Sequence, residues 1–445
     1  MQISDFPAVF PTLIGQALAG LPLFFQRQRG LLGPRSVFLT LITMSVLGHR
    51  SYSRALHELR LVLGHELGWL QKEPGRSAFC QARKKLSPAE CQASFAAVRS
   101  TLTRARTLPR LSFHGLRVHA LDGTRLSLPM SAELKRVFGC PLNQQTTPCP
   151  QAGLVVLWDV GANQPVAWEV GGYDLGEREA GMRLLSHLGE GDVVLGDRGY
   201  PGMELFHAVR VRQAHFIIRM NTTTVAKAAE FIDFLASTDR ERTVIFAPVH
   251  NRHRRFPGDQ PLTVRFVRDP VNRERVLATS LRDLTITPAE LWAVYAGRWN
   301  IETAFREGKQ WHGLEDFHTR FADGIHQEIA AIMTFIYLVG ELEVEMRRKV
   351  QERVASGEEP AESASTFPYR FNRLLMADIT KTLLCLAIKD PHAIQREWQF
   401  SLATLWANRD RIRPGRSYTR PCKSPRGLRR REKHGKSSIK TKEIS

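Results

Sequence analysis

The sequence lacks the features that mark several classes of protein. None of its six cysteines (Cys80, Cys91, Cys140, Cys149, Cys385 and Cys422) is spaced as CxxC, so no structural zinc site is visible and free thiols are expected. No apolar run is long enough to span a bilayer, which predicts that no membrane is a partner. The apolar stretch at 13–25 follows Asp5 without a basic segment or cleavage site, so we expect no signal peptide and a cytoplasmic location.

Acidic residues are scarce at both ends of the chain. The formal net charge is +19, and residues 1–105 carry 13 Lys/Arg against 5 Asp/Glu. Residues 409–445 carry 14 against 3, whereas residues 106–408 carry 36 of each. Basic flanks around a neutral centre suit a protein whose ends hold a polyanionic backbone while its centre does chemistry. A basic protein with a disordered tail and no nucleic-acid role is the alternative from charge alone.

Residues 1–105 are predicted to form a helical, DNA-binding domain. Apolar residues at 36–47, a cap at Ser51 and the segment 76–86 predict three helices. In the third helix, Ala78, Ala82 and Leu86 are expected to pack inward. Four polar side chains are then left for DNA or solvent: Gln81, Arg83, Lys84 and Lys85. A merely solvated helix face predicts the same pattern.

Residues 106–225 change to an α/β pattern. Short β-rich runs are predicted at 116–121, 153–158, 165–170, 192–195 and 215–219, with helices at 177–188 and 203–212. Three strands followed by helix, strand, helix and strand predict a mixed sheet. Residues 226–286 are interpreted as a basic insertion, with a helix and three further strands.

Residues 287–350 are predicted to complete the central domain with long helices. Thr287-Pro288-Ala289-Glu290 is a capping-box start, from which one helix is expected to run to about Lys309. A second helix is predicted at 325–349, and residues 351–408 are interpreted as a C-terminal helical region. Residues 409–445 are rich in Arg, Lys, Pro, Gly and Ser and predict a disordered basic tail.

Two aspartates are expected at the ends of neighbouring strands. Asp122 follows the first run and Asp197 the fourth. Parallel neighbours would bring the two carboxylates together, and close carboxylates repel unless cations lie between them. Mg²⁺ suits carboxylate oxygens and keeps positions open for water and phosphate. Taken singly, each Asp is also an ordinary turn residue.

The helix predicted at 288–309 carries a polar stripe. Its members follow one another at +3, +4 and +7, which at about 100° per residue gives one narrow face: Tyr295, Arg298, Glu302 and Lys309. The stripe offers one acid for a metal site and three groups for phosphate. A wet helix face with a Glu302–Arg306 ion pair is the alternative. Glu307 is expected to face away from Glu302.

These segments resemble the three signature blocks of bacterial DDE transposases. The blocks are Leu121-Asp122-Gly123-Thr124, Gly196-Asp197-Arg198-Gly199-Tyr200, and Tyr295-x2-Arg298-x3-Glu302-x6-Lys309. The last is similar to the Tyr–Arg–Glu–Lys motif of the insertion-sequence family numbered four, and 76–88 resembles its N-terminal block. The resemblance implies an RNase H-like core in which Asp122, Asp197 and Glu302 are catalytic and hold two Mg²⁺ or Mn²⁺ ions. Tyr295, Arg298 and Lys309 would hold DNA.

The resemblance also implies a reaction and its partners. The substrate would be double-stranded DNA, namely the element's terminal inverted repeats and a target, bound by a homodimer in the nucleoid. Two-metal cleavage and joining would give cut-and-paste transposition through a hairpin. An aromatic stacking on a flipped base would help the hairpin step, with Phe246, Phe256, Phe266, Trp292 and Trp299 as candidates, although core packing is the alternative for Trp299. No P-loop motif is present, and none is needed.

Two other functions are compatible with the sequence. The first is a metal-dependent nuclease that hydrolyses DNA at the same site without joining. The second is a domesticated, DNA-binding relative without catalysis, against which the three intact acids argue. For His114, His119 and His312, a surface or internally bonded histidine is the simpler interpretation.

Overall fold

The structure is a computed structural model. It describes residues 32–47, 51–63, 69, 72–105, 112–141, 149–221, 228–246, 261–359, 369–389 and 391–411. The predicted basic tail beyond 411, the apolar stretch at 13–25 and Phe256 lie outside these residues.

Four helices form the first part of the described chain: α1 (Pro34–Leu47), α2 (Tyr52–Leu63), α3 (Arg76–Arg83) and α4 (Pro88–Ala105). Helix α3 turns Phe79, Arg83 and the following Leu86 inward, while Ala78 is exposed and Ala82 half-buried. The predicted inward stripe was therefore wrong at Ala78, because Phe79 supplies the large apolar side chain on the packed face.

A nine-stranded sheet follows, and short helices connect several of its strands. Its first strands are β1 (Ser112–Phe113), β2 (Leu116–Ser127), β3 (Gln151–Asp159), β4 (Gln164–Gly171), β5 (Asp192–Gly196) and β6 (His215–Arg219). The connecting helices are α5 (Ala132–Phe138), α6 (Glu177–Leu184) with a 3-10 turn (Leu185–His187), and α7 (Met203–Val211). Strands β2, β3 and β4 are antiparallel, whereas β5 and β6 run parallel to β2. The predicted mixed sheet is confirmed.

The predicted insertion continues this sheet. It comprises α8 (Ala229–Ala236), β7 (Glu241–Phe246), β8 (Leu262–Arg268) and β9 (Val276–Thr279). Strand β9 pairs antiparallel with β6, so the order across the sheet is β4-β3-β2-β5-β6-β9-β8-β7, with β1 beside β2. Phe246 and Phe266 lie in the core beneath this extension.

The two faces of the sheet are covered by different helices. One core contains side chains of α6, α7 and α8, and the other contains side chains of the N-terminal helices and of α9 (Pro288–Ala296), α10 (Trp299–Trp311) and α11 (Ala322–Ala355). Helix α11 packs on α1, α4 and α12 (Arg373–Lys389), and α13 (Pro391–Ala407) packs on α12. A small pair, β10 (Tyr369–Arg370) and β11 (Asp410–Arg411), completes the described chain. None of its described helices is long and apolar enough to cross a membrane.

The single helix predicted over 288–309 is interrupted. It divides into α9 and α10 at Gly297 and Arg298, where Gly297 N donates to Val294 O (2.9 Å) and Arg298 N to Tyr295 O (3.0 Å). These are tightened, 3-10-type bonds. A Cβ atom at Gly297 would lie 2.9 Å from Val160 Cγ1, so close packing on the sheet accounts for glycine at the break.

Candidate active site

Two parallel strands place Asp122 beside Asp197. Strands β2 and β5 pair in register up to Leu121 opposite Gly196, so each aspartate is the next residue along its strand. Val118, Ala120, Val193 and Leu195 all lie in the core under α9, α10 and α11. Because side chains alternate along a strand, Asp122 and Asp197 face that same side. The prediction that neighbouring parallel strands bring them together is confirmed.

The sequence had predicted that Asp122 ends its strand, and this prediction was wrong. Strand β2 continues to Ser127, paired antiparallel with β3 from His119 opposite Asp159 to Ser127 opposite Gln151. This long ladder outweighs the turn preference of Asp122-Gly123. Only the pairing with β5 stops at Leu121, so Asp122 borders the gap where β5 leaves the sheet.

Helix α10 brings Glu302 to the same gap through Arg298. Nη1 of Arg298 lies 3.2 Å from Asp122 Oδ2, and its Nη2 lies 2.7 Å from Glu302 Oε1. The two carboxylates therefore share one guanidinium, whose side chain is only 8% exposed. The alternative Glu302–Arg306 pair is not formed, because the Arg306 guanidinium donates to Thr303 Oγ1 instead.

Burial dominates the electrostatics of Asp122. It raises the pKa of Asp122 to about 7, and the negative charges of Glu177 and Asp197 add to this effect. The Gly123 backbone N–H and Arg298 act in the opposite direction. A carboxyl that is this costly to ionise among other acids is stabilised as an anion by cations.

The donor chemistry of these acids fits a divalent cation. Carboxylate oxygens are the ligands that Mg²⁺ and Mn²⁺ prefer. Asp122 and Glu302 already contact one cationic group, while Asp197 Oδ1 accepts the Gly199 N–H at 2.8 Å. Among the described residues, no three His, Cys, Asp or Glu side chains are close enough together to hold one ion.

The remaining residues of the predicted stripe lie around the acids. Tyr295 is buried and hydrogen-bonded to Arg298, and burial raises its pKa. Lys309 Nζ donates to Arg125 O (2.5 Å) and lies 3.5 Å from Glu315 Oε1. Asp122, Glu302 and Lys309 line one cavity of about 450 Å³, together with Thr124, Phe305 and Arg306. Arg306, which the sequence suggested only as an ion-pair partner of Glu302, is a basic residue of the cavity lining.

The predicted N-terminal DNA contacts divide into two groups. Gln81, Lys84 and Lys85 are exposed, so their side chains can reach a partner. Arg83 is 1% exposed and binds Gln327, Glu328 and the Gly324 carbonyl. The prediction that Arg83 contacts DNA was therefore wrong, because this guanidinium is fully engaged inside the protein.

The other charged and thiol groups near the motifs follow their simpler interpretations. Glu307 faces away from Glu302 and pairs with Arg373 at 2.7 Å. His119 is buried against Asp192, His312 is buried, and His114 is exposed beside Glu290. Four cysteines have side chains that the structure describes, and all four are free thiols: Cys80, Cys91, Cys140 and Cys149.

A fourth carboxylate, Glu177, adjoins the acids and was missed. It opens α6, and its Oε1 accepts a hydrogen bond from the Tyr200 hydroxyl at 2.8 Å. Its carboxyl carbon lies 2.9 Å from where a Cβ atom of Gly123 would be, so Gly123 leaves room for it. No local signal in the sequence could have found this contact, which joins three separate segments.

The candidate aromatic residues differ in exposure. Trp299 is 58% exposed and lies 5.0 Å from the Arg298 guanidinium, so the core-packing interpretation of Trp299 was wrong. Phe246 and Phe266 are buried in the core, and Trp292 is partly buried against it. Among the described candidates, Trp299 alone presents a largely accessible ring near the acids.

A family model described as Transposase DDE domain matches residues 114–339. This segment begins just before β2, ends within α11 and contains Asp122, Asp197 and Glu302. The match covers just over half of the chain. The chain belongs to the transposase DDE domain family.

Individual known proteins are only distantly similar to this chain. No curated protein matches the sequence. Among solved structures, the chain is similar to the piggyBac transposase in a synaptic complex with hairpin DNA. The identity is 11%, the match covers 96% of this chain and 80% of that one, and the TM-score is 0.37.

Proposed function

We propose that this protein is a DNA transposase of the insertion-sequence family numbered four, which performs cut-and-paste transposition. Asp122, Asp197 and Glu302 are the catalytic acids and metal ligands. The observation that carries the proposal is that Asp122 and Glu302 share the Arg298 guanidinium, while the pairing of β2 with β5 places Asp197 beside Asp122. Membership of the transposase DDE domain family supports it.

The proposed site binds Mg²⁺ or Mn²⁺ through its three acids. When bound, two such ions supply activation of a water or 3′-hydroxyl and stabilisation of the leaving oxygen. Tyr295, Arg298 and Lys309 hold DNA phosphates. The Lys309 ammonium lines the cavity, and the Arg298 guanidinium contacts Asp122 and Glu302, which also line it. The half-buried acids favour cation binding because burial in the absence of a cation raises the pKa of Asp122.

The same proposal covers the architecture and the partners. The core is RNase H-like, which three antiparallel strands followed by two parallel ones support. Residues 1–105 form the helical DNA-binding domain, with Gln81, Lys84 and Lys85 available on its surface. The substrates are terminal inverted repeats and target DNA, and a homodimer acts on them in the nucleoid.

We infer further that cleavage passes through a hairpin at the element's end. In some similar transposases that form hairpins, an aromatic side chain holds a flipped base. Trp299, which is 58% exposed beside Arg298, is the residue that we assign to stack on that base. Stacking of about 1–3 kcal/mol would offset part of the energy of unpairing.

The central experiment is the substitution Glu302→Gln. The variant should fold and bind an element-end duplex taken from the DNA that flanks the gene. Cleavage in Mg²⁺ should fall by more than about 100-fold, because the amide removes the charge of a metal ligand. Gel assays of binding and strand cleavage measure the two effects separately. Normal cleavage by Glu302→Gln would remove this residue from the site.

Two controls define the reaction. Glu179→Gln changes an exposed glutamate on α6 and should cleave normally. A pre-cleaved end with a free 3′-hydroxyl should be joined to plasmid DNA by the wild-type protein. Cleavage without joining would instead indicate the nuclease, and full activity in excess EDTA would exclude the metal mechanism.

A further inference from the structure

A third charged residue stands in line with the two aspartates. Strands β5 and β6 pair in parallel up to Gly196 opposite Ile218, so Arg219 is the next residue of β6, as Asp197 is of β5. Asp122, Asp197 and Arg219 therefore occupy one row across three adjacent parallel strands. Neighbouring strands lie about 4.8 Å apart, so the row is compact.

The side chain of Arg219 faces the same side of the sheet as the acids. Ile217 lies in the core with Leu195 and Ala120, whereas Ile218 lies in the opposite core. Because side chains alternate, Arg219 points toward α9 and α10. Tyr295, on α9, acts electrostatically on Arg219, which indicates that the two side chains are close.

Arg219 has positive neighbours and no acid paired with it. It is half-buried, and within the described parts of the chain its guanidinium forms neither an ion pair nor a hydrogen bond. Burial lowers its pKa, and the positive charges of Arg198, Arg275 and Arg298 add to that effect. Arginine nevertheless stays charged in proteins, so this excess of positive charge is relieved by binding an anion.

We propose that the Arg219 guanidinium binds a backbone phosphate of the DNA strand at the candidate active site, a contact that rests on the transposase function proposed above. Asp197 lies between Asp122 and Arg219 in this row. A phosphodiester bound at the two acids would therefore lie next to the Arg219 guanidinium. Its flat, forked guanidinium suits two phosphate oxygens, which Lys could not bind in the same way. The row thus combines metal-binding acids with a phosphate-binding arginine.

The test compares Arg219→Ala, Arg219→Lys and Arg210→Ala with the wild-type protein. Arg210 is an exposed arginine on α7, whose buried side chains lie in the opposite core, so it controls for loss of charge. Binding of the element-end duplex is measured in EDTA over a range of salt concentrations. Loss of one phosphate contact should lower the slope of log K against log salt by about 0.9, with affinity reduced about tenfold. Arg219→Lys should keep the slope.

A second measurement locates the contact. Methylphosphonates replace single phosphates near the cleavage site with neutral groups. At one or two positions they should weaken wild-type binding but have no further effect on Arg219→Ala. Additive effects at every position, an unchanged slope for Arg219→Ala, or an equal loss for Arg210→Ala would overturn the proposal. If the wild type binds but never cleaves, the transposase proposal fails while these binding data still decide the role of Arg219.

Discussion

At the scale of single residues, the Tyr200 hydroxyl links helix α6 to the turn that carries Asp197. Tyr200 is 1% exposed, and its hydroxyl donates to Glu177 at 2.8 Å. Burial raises the pKa of Tyr200 well above its ordinary value, with Glu177, Asp122 and Asp197 adding to the effect, so the hydroxyl remains a donor. The contact fixes the position of a fourth carboxylate relative to the two aspartates.

Tyr200→Phe should therefore disturb the site more than the fold. The ring still fills its place, and loss of one hydrogen bond should lower the free energy of unfolding by about 1 kcal/mol. The rate of cleavage should fall by more than this small loss of stability can explain, because Glu177 is no longer held beside Asp122. Urea unfolding and strand cleavage measure the two effects. Tyr173→Phe is the control, since among the described residues no hydrogen bond involves the Tyr173 hydroxyl; equal behaviour of both variants would contradict the assignment.

At the scale of elements, helix α10 is held from the side opposite Glu302. Arg373, which opens α12, lies 2.7 Å from Glu307 Oε2 on α10 and 2.9 Å from Glu343 Oε2 on α11. All three side chains are 13% exposed or less. One arginine from the C-terminal region thus fixes the helix that carries the proposed catalytic glutamate.

Arg373→Ala should destabilise the protein by about 3–5 kcal/mol at neutral pH, because two buried carboxylates lose their partner. Burial raises the pKa of Glu307, so the folded protein favours the protonated carboxyl. The contribution of this group to folding stability is therefore fully present below the ordinary pKa of Glu, and it is lost as pH rises through the raised pKa. Removing Arg373 raises that pKa further, so the difference from wild type should shrink toward pH 4–5. Denaturant unfolding across pH measures this. An undiminished difference would contradict it.

The control for this prediction is Arg370→Ala. Arg370 is 77% exposed and its Nε lies 3.9 Å from Asp410. An exposed pair of this kind contributes less than about 1 kcal/mol. Its removal should therefore leave the unfolding curve almost unchanged at every pH.

The elements could largely be predicted from the sequence, while their exact ends could not. Strand β6 was predicted at its observed bounds because a β-rich run there is bordered by clear breaks. Strand β2 extends six residues past the predicted end, to Ser127, because pairing with β3 outweighs a local turn signal. The break at Gly297 depends on contact with Val160, which lies far away in the sequence. Glu302 was still placed correctly beside Arg298, since Arg298 caps α10 with helical backbone angles and so stays one turn before Glu302.

At the scale of the whole molecule, the N-terminal helices, the sheet and α11 share one core, and Arg83 connects the N-terminal helices to α11. Its Nε donates to Gln327 at 2.7 Å and its Nη2 lies 2.7 Å from Glu328 Oε1, both on α11. Gln327 in turn donates to the Arg83 and Leu86 carbonyls. The sequence could not distinguish Arg83 from its exposed neighbours Lys84 and Lys85, because its partners on α11 lie more than 240 residues away.

Arg83→Ala and Lys84→Ala should consequently have opposite effects. Loss of Arg83 leaves Glu328 buried without its main cation, which should lower the free energy of unfolding by about 3–5 kcal/mol. Lys84 is exposed, so Lys84→Ala should leave stability unchanged and weaken DNA binding, with a salt slope lower by about 0.9. Thermal unfolding measures the stability of each variant. Duplex binding is measured at a temperature below the unfolding transitions of both variants, so that loss of affinity is not caused by unfolding. If Arg83→Ala were as stable as wild type and lost DNA affinity instead, the structural role assigned to the buried Arg83–Glu328 pair would be wrong, and Arg83 would be a DNA contact.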